Sequence, residues 1–404
     1  MHEAGYPEPK APGRRYGLPP SAKITPSDVL RSVAALKTIR DIRCVMYDER
    51  EADNPLVKAF LRLEGPAIVD YRGEVQMHER LEHLRAEGLE SKEVLVLGRF
   101  KGRLLQLCPG SRGMLCCRYR LINTCFNCLY DCTYCYLNSY LNSYGIFQFT
   151  NMDALRDDLE GFYRDSDRNM VYRIGTGEFT DSLMFDEQSG IAGMLIDAAS
   201  HMDNVMLELK TKSSNVGHLL GISAKGKAVL AWSLNTQRNI ERYEAGTASL
   251  GERLDAAVRA AEAGYLLAFH FDPIIAGEDW RAEYGALVSA LFSRIRPEIV
   301  AWISLGCFRY GSGFKEAMRE RFPDEGLSLE EMFPGRDGKM RYLKHLRRTI
   351  YREMVSSIRA HAPKSYIYLC MEAEDMWRDV FGFSFAAPEL FERDFGRRLR
   401  DSFW

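Results

Sequence analysis

The sequence has no apolar run approaching the roughly 18–20 residues that a membrane-spanning helix needs. The N-terminal stretch MHEAGYPEPKAPGRRYGLPP carries charges and prolines but no apolar core of the kind a secretory leader requires. Neither sign of charge dominates. The chain has 54 basic and 56 acidic residues, a formal net charge of -2. Bulk charge therefore gives no nucleic-acid signal, although a local basic patch stays compatible with it. No internal sequence repeat is present beyond an alternation of strand-like and helix-like segments. These absences set the expectation of a soluble, cytoplasmic protein without a membrane partner. With 404 residues, 46% of them hydrophobic, the chain can bury a large core.

Cysteine is not scarce. There are 10, and seven of them fall between Cys108 and Cys135. Clustered thiols in a chain of this length, with no leader, point to metal or redox chemistry rather than to disulfides. Residues 1–25 are rich in proline and glycine and are expected to form a flexible tail. An N-terminal α/β region is expected over 26–115, with strands at Ile42–Tyr47, Ala67–Asp70 and Val94–Leu97 and helices at Asn54–Leu63 and Glu79–Leu89. Over 116–325 short apolar strands alternate with helices. The strands are Arg118–Asn123, Val171–Gly175, Val205–Leu209, Val229–Leu234, Leu266–Phe271 and Val300–Leu305. Helices are expected at Leu183–Met202, Leu254–Ala263 and Trp280–Phe292. The alternation implies a parallel sheet buried on both faces. Six such units suit an open, partial (β/α)6 TIM-type barrel, with a doubly wound sheet as the alternative. Either places chemistry at the C-terminal strand ends. A C-terminal extension over 326–404 reads as a basic helix from Met340 to His361, a strand Tyr366–Cys370 and an acidic helix ending at Phe381.

The strongest signal is Asn123-Thr124-Cys125-Phe126-Asn127-Cys128-Leu129-Tyr130-Asp131-Cys132-Thr133-Tyr134-Cys135-Tyr136. Cys128, Cys132 and Cys135 are spaced C-x3-C-x2-C after the first barrel strand. Three thiolates on one short loop can ligate three irons of a cubane cluster and leave the fourth open to a chelating ligand. The competing reading pairs Cys125-x2-Cys128 with Cys132-x2-Cys135 as a structural zinc site, although the three-residue spacer is short for one. Other patterns gather at strand ends. Gly175-x-Gly177-Glu178 follows a strand, where glycines admit close backbone approach. Thr180, Asp181 and Ser182 come next, and Lys212, with Lys210 competing for the same role, follows the next strand. Ser233 and Asn235 share a face, as do His270 and Asp272, whose place at a strand end suits the lining of a substrate pocket. Lys344, Arg347 and Arg348 lie on a basic helix whose cationic face suits either phosphate contact or simple solvation.

The C-x3-C-x2-C spacing with an aromatic before the third cysteine resembles the radical SAM superfamily motif. Its continuation Cys135-Tyr136-Leu137-Asn138 resembles the spore photoproduct lyase family. The likeness extends to Gly175–Ser182, Leu209–Lys212, Trp232–Asn235, Tyr243–Thr247 and Phe269–Ile274. It implies a radical SAM barrel and a lyase. Cys128, Cys132 and Cys135 would hold a [4Fe-4S] cluster that reductively cleaves S-adenosylmethionine. Gly177, Glu178, Thr180, Asp181, Ser182, Lys212, Ser233 and Asn235 would bind that cofactor. The substrate would be DNA carrying a thymine dimer, repaired by carbon–carbon bond cleavage, with a flavodoxin or ferredoxin as reductant. Tyr134 and Tyr136 match tyrosines flanking the family's cluster loop and are candidate catalytic residues. One position departs: Phe179 stands where the family's hydrogen-donor cysteine falls, and Cys307 is the substitute considered. Two alternatives stay open, an enzyme of the same fold acting on a peptide or small metabolite, and a non-catalytic zinc-containing nucleic-acid-binding protein.

Overall fold

Runs such as Val94–Leu97 and Val229–Trp232 are apolar at every position, and strands of this kind are stable only when both faces are covered. The computed structural model of the chain describes residues 36–140, 144–223, 225–323 and 326–404. The proposed tail over 1–25 lies outside these described residues.

In chain order the strands begin with β1 (Cys44–Asp48), β2 (Ala67–Tyr71), β3 (Val94–Gly98), β4 (Leu105–Leu107), β5 (Arg120–Ile122), β6 (Cys125–Phe126), β7 (Asp131–Cys132), β8 (Ile146–Phe149) and β9 (Tyr172–Thr176). Next come β10 (Val205–Thr211), β11 (Ala228–Ser233), β12 (Glu244–Ala245), β13 (Leu266–Ile274) and β14 (Val300–Cys307). The last are β15 (Arg309–Tyr310), β16 (Phe333–Pro334), β17 (Met340–Arg341) and β18 (Ile367–Leu369).

The larger sheet runs β18-β14-β13-β11-β10-β9-β5-β4. Every neighbouring pair from β5 to β18 is parallel, and only β4 is antiparallel, to β5. It curls into a partial TIM barrel, as expected. The six strands read from the sequence are joined by a seventh, β18, which comes from the proposed C-terminal extension and pairs with β14. The smaller sheet runs β2-β1-β3-β8-β6. Its last two strands come from beyond residue 115, so the N-terminal layer and the barrel are stitched together by the segment carrying the cysteines.

Two helical expectations are corrected and one helix is added. The segment 183–202 is two helices, Asp186–Ser189 and Ile191–Ser200, because Gly190 between them sits at φ 63. The basic helix begins at Lys344, since Met340 and Arg341 pair in the small sheet β15-β17-β16 instead. A further helix, Pro388–Phe403, was not read from the sequence. It presents Phe391, Phe395 and Leu399 to the core. Phe395 meets Trp302 at 5.7 Å and Tyr368 at 5.3 Å, and the Arg173 guanidinium lies 3.9 Å from its ring centre. Gly396 is required there, because a Cβ would stand 2.6 Å from the Val171 carbonyl oxygen.

Phe395 is 2% exposed, whereas Phe383 is 49% exposed. Phe395→Ala is therefore expected to cost about 3–5 kcal/mol, and Phe383→Ala only a fraction of that. Urea unfolding of both variants checks this, and equal losses would refute the helix's role as a structural plug.

Candidate functional site

The cysteine loop is held at both ends. From β5 the chain crosses to the other sheet, where β6 pairs antiparallel with β8. Asn127 then turns it in the left-handed region (φ 71), a conformation asparagine tolerates better than most side chains. The Asn127 Oδ1 accepts from Cys128 N at 2.9 Å, and its Nδ2 donates to the Gly145 carbonyl at 3.0 Å. Further on, β7 pairs with β12, opposing Cys132 to Glu244. Asp131 is gripped by Arg321 at 2.6 Å and Lys92 at 3.1 Å.

All ten cysteines are free thiols. Cys135 acts on the ionisation of both Cys128 and Cys132, and Cys128 acts on Cys132. Burial pushes the Cys128 thiol up to about 12, with Asp181 adding to it, and pushes Cys132 well up against the pull of Lys212. These are sites that need a cation before the thiols ionise, as the irons of a cluster would supply. Among the described residues no three His, Cys, Asp or Glu side chains are gathered around one point as a single metal ion requires. A cubane places its thiolate ligands on separate irons, farther apart than ligands of one ion, so the donor set suits a cluster. Cys125 lines a cavity of about 20 Å³ together with Gln148, Thr180 and Met184.

Around the loop, Gly177 (φ 92) bends the chain after β9 so tightly that a Cβ would lie 2.8 Å from the Lys210 carbonyl oxygen. This turn brings Glu178 beside the loop, where its carbonyl accepts from the Tyr136 hydroxyl at 3.0 Å. Lys210 and Lys212 separate by neighbourhood. The Lys210 ammonium lies 3.8 Å from the Glu178 carboxylate and within the influence of Glu208 and Asp272. Lys212 turns to the cysteine loop, its ammonium 5.9 Å from the Tyr134 ring centre and acting on Cys132. Thr180 contacts the Met184 sulfur at 3.6 Å.

Several sequence-chosen residues have hydrogen-bond partners within the fold. Asp181 accepts from Thr211 Oγ1 at 2.7 Å, Lys212 N at 2.6 Å and Leu183 N at 2.9 Å, stapling two strand ends together. Ser182 accepts from Thr176 Oγ1 at 2.6 Å. Ser233 is buried, and its carbonyl accepts from Arg253 at 2.9 Å. Asn235 is 1% exposed and its amide is saturated by Tyr284, Thr236, Asn239 and Pro273. His270 lies a layer below the mouth, with Nδ1 at 2.7 Å from Ser304 and Nε2 at 2.6 Å from Glu208. Its face-mate Asp272 stays at the mouth, in a bidentate pair with Arg309 at 2.9 and 3.0 Å.

The expected catalytic group is also redistributed. The Tyr134 hydroxyl donates to Glu244, while Tyr136 is exposed at the rim. Cys307 is sealed in the core, its backbone N–H on the Tyr351 hydroxyl. Phe179 fills its own position by packing on Tyr140 and Phe126. Of the basic-helix residues, Lys344 is paired with Asp375 and Asp379, and Arg347 with Glu372. Arg348 Nη2 lies 3.1 Å from His345 Nδ1.

Two groups escaped sequence reading. Arg253, fully buried, binds Glu244 at 2.5 Å and Thr247 at 2.6 Å. Burial would raise the Glu244 carboxyl, but Arg253 and then Lys212 hold it below its ordinary value. Glu208 is likewise buried, yet His270 keeps its carboxyl at about 2. No local pattern announces either residue, because each partner lies on another element.

A parallel half-barrel with three clustered thiols on the loop after its first parallel strand defines the class: this is the radical SAM partial TIM barrel. The family model for spore photoproduct lyase matches residues 116–370, and the chain belongs to the spore photoproduct lyase family. It is similar to the spore photoproduct lyase of Bacillus subtilis, 26% identical over 185 residues, 45% of this chain and 54% of that protein. It is also similar to that of a Geobacillus species, 27% identical over 171 residues, 42% and 50% of the two chains. The chain thus spans about half the length of the curated relatives it matches. A solved spore photoproduct lyase variant with bound AdoMet and dinucleoside spore photoproduct superposes with a TM-score of 0.69 at 22% identity, covering 81% of this chain and 98% of that one. A second variant gives 0.71 at 23% identity, with the same coverage.

Arg253→Met leaves the Glu244 carboxylate buried without its cation and is expected to cost about 3–5 kcal/mol in urea unfolding; a loss under 1 kcal/mol would contradict the pairing. Glu208 stays ionised in the fold down to about pH 2, against an ordinary carboxyl value of 4.5. Its contribution is complete above pH 4.5 and disappears as pH falls toward 2. Glu208→Gln should flatten the stability–pH curve in that window, and an unchanged curve would count against the Glu208–His270 pair.

Proposed function

We propose that this chain reductively cleaves S-adenosylmethionine at a [4Fe-4S] cluster held by Cys128, Cys132 and Cys135, and that it acts as a lyase on a thymine-dimer lesion in DNA. The observation that carries the first part is the clamped loop of three thiols between the two sheets, at the mouth of a parallel half-barrel. Family membership and the named substrate of the relatives support the second. The bound cluster and cofactor together supply a one-electron cleavage of a carbon–sulfur bond, which generates a carbon radical. The protein's own residues position and shield that chemistry. The Gly177–Glu178 turn offers a carboxylate and backbone oxygens to an ammonium group. The Lys212 ammonium offers a counter-charge to a carboxylate. Asp181 fixes both by joining the turn to the end of β10. Asp272 and Arg309 mark the substrate side of the mouth. A flavodoxin or ferredoxin in the cytoplasm is the proposed electron source. No helix among the described residues is long and apolar enough to cross a membrane.

The commitment of Lys344 and Arg347 to internal ion pairs and the packing of Phe179 favour keeping a second reading, the same SAM chemistry on a peptide or small metabolite.

The test is anaerobic reconstitution with iron and sulfide, reduction, and measurement of 5′-deoxyadenosine. Wild type should form it, and the triple Cys128→Ala, Cys132→Ala, Cys135→Ala variant should lose at least 100-fold, about 2.7 kcal/mol of barrier. Lys212→Ala should raise KM for S-adenosylmethionine more than it lowers kcat. Zinc binding without iron uptake or SAM cleavage would refute the proposal. Thymine-dimer DNA left intact by an enzyme that does cleave SAM would transfer support to the second reading.

A further inference from the structure

A second group of thiols lies outside the cluster loop. Cys108 follows β4, and its backbone N–H donates to the Tyr119 carbonyl at 2.7 Å, closing the neck of a hairpin loop. Gly110 (φ 60) folds that loop back so closely that a Cβ would stand 3.1 Å from the Cys116 sulfur. Arg118, itself at φ 53, points its N–H to the same sulfur at 3.4 Å. An isolated bridge from Leu115 to Glu372 pins the returning arm beside the end of β18. The result brings the Cys116 thiol against those of both Cys108 and Cys117. All three are free and partly exposed.

The three thiols are pushed in different directions. Hydrogen bonding to Cys108 and Cys117 raises Cys116. Contact with Cys116 lowers Cys108 and brings Cys117 to about 6, with Arg173 adding to the latter. Arg173 is buried among the rings of Tyr119, Trp302, Tyr368 and Phe395, and its Nη2 has no hydrogen-bond partner. Burial lowers the Arg173 guanidinium, and Cys117 leads the groups that raise it. The hairpin that closes at Cys108 and folds Gly110 onto Cys116 makes Cys108 and Cys116 the pair that meets across the loop, while Cys117 lies on the Arg173 side. A bond between Cys116 and its chain neighbour Cys117 would also require a strained ring, whereas Cys108 approaches from the opposite arm of the hairpin.

We propose that Cys108 and Cys116 form a thiol–disulfide exchange site that takes a small anionic disulfide of the glutathione type. The Cys108 thiolate attacks one sulfur of the external disulfide and expels one thiolate, leaving a mixed disulfide on Cys108. Cys116 then gives up its proton to the solvent and attacks the Cys108 sulfur, expelling the second thiolate. Two protein thiols are oxidised to one disulfide, and one external disulfide is reduced to two thiols. Exposed Arg112 on the same loop supplies charge of the sign that attracts the carboxylates of such a reagent. The site borders the proposed SAM pocket, since Glu178 acts on Cys108 and Cys108 acts on Tyr136. The proposal itself does not depend on SAM chemistry.

The full-length protein, reconstituted with iron and sulfide, is treated anaerobically with oxidised glutathione, alkylated and digested with trypsin. Cys108 then lies in the peptide Leu104–Arg112, Cys116 and Cys117 in Gly113–Arg118, and the cluster cysteines in Leu121–Arg156. The expected product is Leu104–Arg112 joined to Gly113–Arg118, two hydrogens lighter than the separate peptides and released by dithiothreitol. Cys117→Ser should retain this product. Cys116→Ser should lose it and accumulate glutathione on Leu104–Arg112. Separate, fully alkylated peptides would overturn the proposal, as would an internal disulfide confined to Gly113–Arg118. Modification of Leu121–Arg156 alone would overturn it too, and would at the same time count against the cluster assignment.

Discussion

The site depends on one buried ion pair. Arg253 reaches from a helix into the protein interior and meets Glu244, whose strand β12 holds β7 and with it Cys132. Tyr134, between the second and third cluster-loop cysteines, hangs from the same carboxylate. Removing two charges from water is costly, and the pair is tolerable only because backbone carbonyls of Ser233 and Ala248 and the hydroxyl of Thr247 complete the guanidinium's shell. The cost is offset by position. A loop of three thiols cannot fold itself, and this network fixes its far arm as β6 and Asn127 fix its near arm.

Below the mouth the barrel interior is layered. Glu208, His270 and Ser304 come from three strands of the parallel sheet and satisfy one another within a region where an unpaired group would be expensive. Trp302 adds an N–H to Glu208 at 3.2 Å. Above them lie Lys210, Glu178, Asp272 and Arg309, partly open. The boundary between structural and available polar groups therefore runs between His270 and Asp272, two residues apart on β13. Glu208 and His270 below it are paired with neighbours, while Lys210, Asp272 and Arg309 above it keep partial exposure.

Much of this was legible locally. Strands read from apolar runs and the Trp280–Phe292 helix fell where the structure has them, because burial on both faces imposes its signature residue by residue. The cysteine loop was legible because three thiols on one short segment are a matter of spacing. Glycine at 177 was legible because a turn after a strand needs its backbone freedom. The break at Gly190 was missed because apolar periodicity continues on both sides of it. The pairing of Met340 and Arg341 as strand residues was missed because a basic run with helical spacing does not disclose its sheet partners.

The sequence by itself determined the alternation that yields a parallel half-barrel, and the thiol spacing that marks its chemistry. Both are carried by residues near one another along the chain. Only the tertiary structure decided that Asn235, Asp181 and His270 are spent on internal hydrogen bonds, that Cys307 is sealed, and that Lys212 rather than Lys210 faces the cysteines. It alone brought Cys108 to Cys116 and Arg253 to Glu244. Whether a polar side chain is free depends on which groups from distant segments satisfy it, and that is settled only when the strands are laid side by side.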